Sequence, residues 1–77
     1  MFNVELQQLL AEVFEIRQDE IVENLTSEDV DNWDSLKQMD LVVSLENKYN
    51  IALSFEEIVK ISSVKDIIDV LSAKDVL

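Results

Sequence analysis

None of the 77 residues is glycine or proline. That double absence constrains the fold more than any other feature of the chain. Tight hairpins lean on glycine for positive φ, and breaks between short strands are marked by glycine and proline. The strongest signals of a β fold are therefore missing. The apolar residues recur instead at helical spacing. Leu6, Leu9, Leu10, Val13 and Phe14 keep the i, i+3, i+4, i+7, i+8 pattern. This predicts a first helix over roughly 4–15, with Asn3 as its N-cap.

The pattern lapses over residues 16–34, where Ile16, Ile21, Leu25, Val30 and Trp33 are scattered among acids. A connection this long inside a small domain is unusual and often functional. We expect a long loop pinned to the core by those apolar residues, with a helical turn near Thr26–Val30. A second helix then opens at Asp34 or Ser35 and runs to about Tyr49. Either residue is a good N-cap, and Ser35 with Gln38 has capping-box spacing. Asn50 is suited to the left-handed residue that closes a helix when glycine is absent. Residues 51–53 read as a short extended link. Ser54 and Glu57 form a second capping box, opening a short third helix with Phe55, Ile58 and Val59. Ser63 caps a fourth helix carrying Val64, Ile67, Ile68 and Leu71. The fold class expected is all-α: a small four-helix bundle in one domain, 1–77, with a long first connection and a short third helix.

Composition narrows the chemistry. Cysteine and histidine are also absent. Zinc, haem and iron–sulfur sites of the usual kinds, thiol nucleophiles and Ser-His pairs are excluded. Without glycine there is no phosphate-cradling loop of the Walker or dinucleotide type. Seventeen acids against six basic residues give a formal net charge of −11, which disfavours nucleic acid as a partner. The 48% apolar content argues against disorder. No run of residues is long and apolar enough to span a bilayer and no targeting segment is visible, so a cytoplasmic monomer is expected. The acid is uneven: residues 1–34 hold ten acids and one arginine, while residues 35–77 hold seven acids and five lysines.

Helix 2 has one apolar face too many. On a helical wheel Leu41, Val42, Leu45 and Tyr49 share one side, and Leu36, Met39 and Val43 share another. Asp40, Glu46 and Asn47 flank the second. A small apolar stripe rimmed by polar groups suits docking, whereas a central helix would bury both sides. Acids Asp29, Asp31 and Asp34 invite an EF-hand reading, but the fifth position would be Trp33, the sixth-position glycine is missing and the twelfth is Asp40. A solvated acidic loop accounts for them, with weak divalent-cation binding through charge density left open. Trp33 itself fits better wedged beneath the loop than exposed.

Asp34-Ser35-Leu36 at the start of helix 2, the run Met39-Asp40-Leu41-Val42-Val43-Ser44-Leu45-Glu46, Tyr49-Asn50-Ile51, Ser54-Phe55-Glu56-Glu57 and Val64-Lys65-Asp66-Ile67 together resemble the acyl carrier protein family. The tripeptide alone is only a helix cap; its position in an acidic chain of this length carries the resemblance. The resemblance implies that Ser35 takes a 4′-phosphopantetheine group from coenzyme A, delivered by a phosphopantetheinyl transferase. Acyl groups would then ride on the arm's thiol as thioesters, and the chain itself would not be an enzyme. Asp34 would support the site, either as a cap or by orienting the transferase or a bridging metal.

By the same resemblance, Leu36, Met39 and Val43 would contact acyl-loading and acyl-transfer enzymes, with Asp40 and Glu46 meeting their basic residues, and the bundle interior would partly sheathe the cargo. Two departures stand out. Trp33 replaces the glycine common before Asp-Ser-Leu, and Lys37 and Lys48 leave residues 35–50 with no net charge. Both point to a specialised carrier with its own enzymes. The competing reading is an acidic helical interaction module without a prosthetic group; within the family, an aminoacyl or peptidyl carrier is the alternative.

Overall fold

A computed structural model describes residues 3–77. Four α-helices follow in order: α1 (Val4–Phe14), α2 (Ser35–Tyr49), α3 (Phe55–Lys60) and α4 (Val64–Ala73). A single 3₁₀ turn, Gln18–Glu20, lies in the long connection. The all-α bundle read from the spacing is thus the observed fold.

The caps explain where each helix begins. The Asn3 side chain accepts the Leu6 N–H at 3.0 Å. Ser54 and Glu57 close their capping box in both directions, at 3.1 and 2.8 Å. Ser63 Oγ accepts the Asp66 N–H at 3.1 Å. Each satisfies an amide that has no partner inside its own helix. The helix ends show how a chain without glycine turns: Glu15 (φ 58°), Asn50 (φ 55°) and Asp75 (φ 62°) take the left-handed conformation. Asn50 was the residue expected there, and Glu15 closes α1 one residue sooner than the spacing suggested.

One apolar stripe from each of α1, α2 and α4 builds the core, with Ile58 of α3 packed partly against it. Leu6, Leu10 and Phe14 of α1 pack with Leu41, Val42 and Leu45 of α2 and with Val64, Ile67 and Leu71 of α4. The long connection adds Ile21, Val30 and Trp33, all buried, so it is a folded strap over the end of the bundle. Its backbone is tied down at both sides. Gln7 Nε2 donates to Ile21 O at 3.0 Å and Asn32 Nδ2 to Phe14 O at 3.2 Å. Ser27 N donates to Ser62 O and Val64 N to Leu25 O, both at 2.9 Å, a short antiparallel bridge to the start of α4. The helical turn expected near Thr26–Val30 does not form. A hydrogen-bonded turn stands there, in which the Asp29 carboxylate accepts from Thr26 N and Oγ1. This side chain satisfies the turn locally and removes the reason to wind further.

Candidate functional site

The site grows from the first turn of α2. Asp34 is extended (φ −109°, ψ −169°) and is the N-cap: its carboxylate accepts the Lys37 N–H at 2.9 Å. Its carbonyl accepts the Gln38 N–H at 2.8 Å, the first bond of the helix. The amides of Ser35 and Leu36 come before that first bond, where a helix offers free donors and the positive end of its dipole. Ser35 is the first helical residue and is exposed. With Asp34 doing the capping, the serine hydroxyl is not consumed by the helix it stands on.

The capping box expected between Ser35 and Gln38 is therefore not made. Gln38 instead turns inward. Its Oε1 accepts the Trp33 indole N–H at 2.7 Å. Its Nε2 donates to Ile58 O at 2.9 Å and to Ile61 O at 3.1 Å. One side chain thus joins the strap, α2 and the end of α3. Both carbonyls lie at the C-terminal end of α3, where a helix runs out of amides of its own; Ile58 O also accepts the Ile61 N–H at 3.2 Å. Trp33 is buried beneath the strap, its ring 4.4 Å from Phe14. The wedged reading of this residue is the observed one. Spacing alone gave no hint of the part Gln38 plays, because its partners are remote in sequence.

Beside Ser35 lies an open cleft of about 490 Å³, lined by Ser27, Trp33, Asp34, Gln38, Met39 and Ile61. Beyond it runs the second apolar stripe. Leu36 is 80% exposed, and Met39 and Val43 are each 51% exposed, while Leu41 and Leu45 on the other side are fully buried. The surplus face is a surface. Phe55 and Val59 of α3 add two more exposed apolar side chains, at 78% and 60%.

The charges of α2 are sorted by side. Lys37 reaches Glu15 at 3.2 Å and Lys48 reaches Glu5 at 3.6 Å, so both lysines turn toward α1. The charges left flanking the outward stripe are the acids Asp40, which is exposed, and Glu46, which is half-buried. Glu46 also holds the link to α3, accepting the Leu53 N–H at 2.9 Å. Of these two acids only Asp40 is exposed, and it also borders the groove toward α1 that holds Lys37. Among the described residues, no cluster of three or more acids is placed to hold a metal ion. No helix among them is long and apolar enough to cross a membrane.

The bundle thus presents an exposed serine at the start of its second helix, with an apolar stripe leading away from it. Residues 4–71 match the family model for a phosphopantetheine attachment site. Acyl carrier proteins from two strains of Buchnera aphidicola subsp. Acyrthosiphon pisum, Tuc7 and APS, are 31% identical over 77 residues, spanning 97% of this chain and 96% of theirs. The chain belongs to the acyl carrier protein family, whose prosthetic group is 4′-phosphopantetheine.

Proposed function

We propose that residues 1–77 act as one carrier domain, with Ser35 as the attachment point of the arm. The observation that supports this most is the division of labour at the start of α2. Asp34 caps the helix, which leaves the Ser35 hydroxyl exposed beside the unbonded first amides. A phosphate joined to Ser35 Oγ would sit against those amides and the positive helix end. In the loading step a transferase brings coenzyme A. The Ser35 Oγ–P bond forms, the pyrophosphate P–O bond breaks, adenosine 3′,5′-bisphosphate leaves, and the hydroxyl proton passes to a base of the transferase. When attached, the arm supplies a terminal thiol for thioester formation. This chain supplies no catalytic group; it fixes the arm's root and presents a surface.

That surface is the outward side of α2. Leu36, Met39 and Val43 form the apolar centre, and Asp40 and Glu46 supply the acidic rim. Basic residues on the loading and acyl-transfer enzymes would be steered by that rim, which acts mainly on encounter rate and specificity. Asp34 adds an acidic group next to the reacting hydroxyl, positioned to help orient the transferase.

The test is a mass measurement. Incubated with coenzyme A and a broad-specificity phosphopantetheinyl transferase, the wild-type chain gains one pantetheine adduct. Ser35→Ala gains none while keeping the wild-type circular dichroism spectrum. An unmodified wild-type chain that is correctly folded would favour the bare interaction module instead.

A further inference from the structure

An alkyl chain tethered beside a hydrophobic bundle is driven to bury itself, because removing apolar surface from water is favourable. Whether it does depends on an opening near the tether. In this chain the cleft beside Ser35 is walled by the strap, the first turns of α2 and Ile61 just past α3, and Gln38 stands in it, tied to the end of α3. Its amide is engaged on three sides, by Trp33 Nε1, Ile58 O and Ile61 O, at 2.7, 2.9 and 3.1 Å. Spreading α3 from α2 would part the two bonds from Gln38 Nε2 and leave a half-buried amide N–H and the Ile61 carbonyl without those partners, which is unfavourable without water to replace them. Behind this stitch Leu41, Leu45 and Ile67 are fully buried in one continuous core.

Resting on the attachment at Ser35, we infer that Gln38, braced by Trp33, is a specificity-determining residue that closes the bundle to the cargo. The cargo class that fits is a short or polar acyl group, which stays in solvent on the arm and gains nothing from the core. A long alkyl group on the same arm is left outside and does not stabilise the fold. The cleft beside Ser35 suits this, since it is open and its lining mixes Ser27 and Asp34 with Met39 and Ile61.

The experiment compares the arm-bearing protein loaded with acetyl and with decanoyl groups, each position verified by mass on the Ser35 peptide. A sheltered chain would bind the folded state alone and raise the melting temperature. Closure predicts that the two wild-type forms melt within about 2 °C of each other, whereas a rise of about 4 °C or more with decanoyl overturns it. In Gln38→Ala the stitch is gone, and decanoyl should raise the melting temperature over acetyl by about 4 °C; equal values in the variant overturn the role of Gln38. Should Gln38→Ala fail to fold, Trp33→Phe removes the indole donor while keeping a ring against Phe14. In that variant a ¹³C-labelled decanoyl chain should show cross-peaks to Leu45 and Ile67 methyls that the wild type lacks. Such cross-peaks in the wild type, or none in the variant, count against closure. An arm that attaches to no residue removes the carrier reading and this inference together. A stabilising decanoyl chain on Ser35 removes this inference alone.

Discussion

Helix α2 has two long sides that use similar residues for opposite ends. On one, Leu41, Val42 and Leu45 are buried between α1 and α4. On the other, Leu36, Met39 and Val43 are of comparable size and stand in water. The charges separate as well, with Lys37 and Lys48 drawn to acids of α1 and only acids left along the outward stripe. The difference teaches that composition by segment is a poor guide to a recognition surface. Residues 35–50 sum to zero charge, yet the side that faces outward is apolar and flanked by acids. A helix can hold the fold with one side and leave the other free to be selected for partners.

The largest effect should come from the inward side. Leu45→Ala removes a fully buried side chain from the centre of the core and is expected to cost about 2–5 kcal/mol. In a chain this small that is a large share of the total stability, and urea unfolding should show it as a drop in the midpoint. If Leu45→Ala cost no more than an outward substitution, the two sides would not differ in the way described.

The next effect concerns the caps that fix where helices start. Ser63→Ala removes the acceptor for Asp66 N–H and should cost about 1 kcal/mol. Acid should act on the same junctions. Glu57 is held below the ordinary carboxylate range by the Ser54 backbone N–H and then by Lys74. Asp66 is likewise held down, mainly by the Ser62 backbone N–H. For groups whose folded pKa is depressed, the stabilisation is fully present above the unfolded value of about 4 and is lost as pH falls through the folded value. Melting temperatures of wild type, Glu57→Gln and Asp66→Asn should therefore differ at pH 7 and converge as the pH falls through the lowered folded values. A gap that persists undiminished in acid would show that the two carboxylates act through packing.

Much of this was legible in the chain itself, and the reason is locality. The caps at Asn3, Ser54 and Ser63 and the left-handed Asn50 depend on neighbours within four residues, so spacing revealed them. The two sides of α2 were legible because helical period needs no tertiary partner. Gln38 was not, since its partners Ile58 and Ile61 come from another helix, and they outcompete the local box with Ser35. The pairing of Lys37 and Lys48 with acids of α1 was hidden for the same reason. At the candidate site, Ser35 stood out by its place in a motif, while the cap that leaves its hydroxyl exposed was shared in the reading between Asp34 and Ser35 until the backbone separated them.

A smaller effect should follow from unpairing the α1-facing charges. Lys37→Gln leaves Glu15 without its partner, but the Glu15 end of the pair is 71% exposed, and the pair is worth at most about 1 kcal/mol. Its stability loss should shrink further when salt is raised, because screening weakens a partly exposed pair. The informative readout is the transferase reaction at low salt. Removing a lysine from the α1 side leaves the outward acids untouched, so the rate of adduct formation should change little. A large change in that rate would show that Lys37 contributes to the recognition surface, and the division of charge by side would fail.

The smallest stability effect is expected where the surface hypothesis asks the most. Val43→Glu places a charge in the middle of the outward stripe, on a side chain already half in water. No buried contact of the core is removed, so the unfolding free energy should move by no more than about 0.5 kcal/mol, the usual range for surface positions. The same substitution desolvates badly against an apolar pocket, and turnover by a partner enzyme should fall by an order of magnitude or more at fixed carrier concentration, roughly the loss of 1.4 kcal/mol of binding. The two readouts must be taken on one preparation, because only their divergence is diagnostic. A parallel loss of stability and turnover would mean that Val43 belongs to the core after all, and that α2 has a single working side. Loss of turnover in a chain as stable as the wild type would leave one explanation, that the surplus face exists to be touched by another protein.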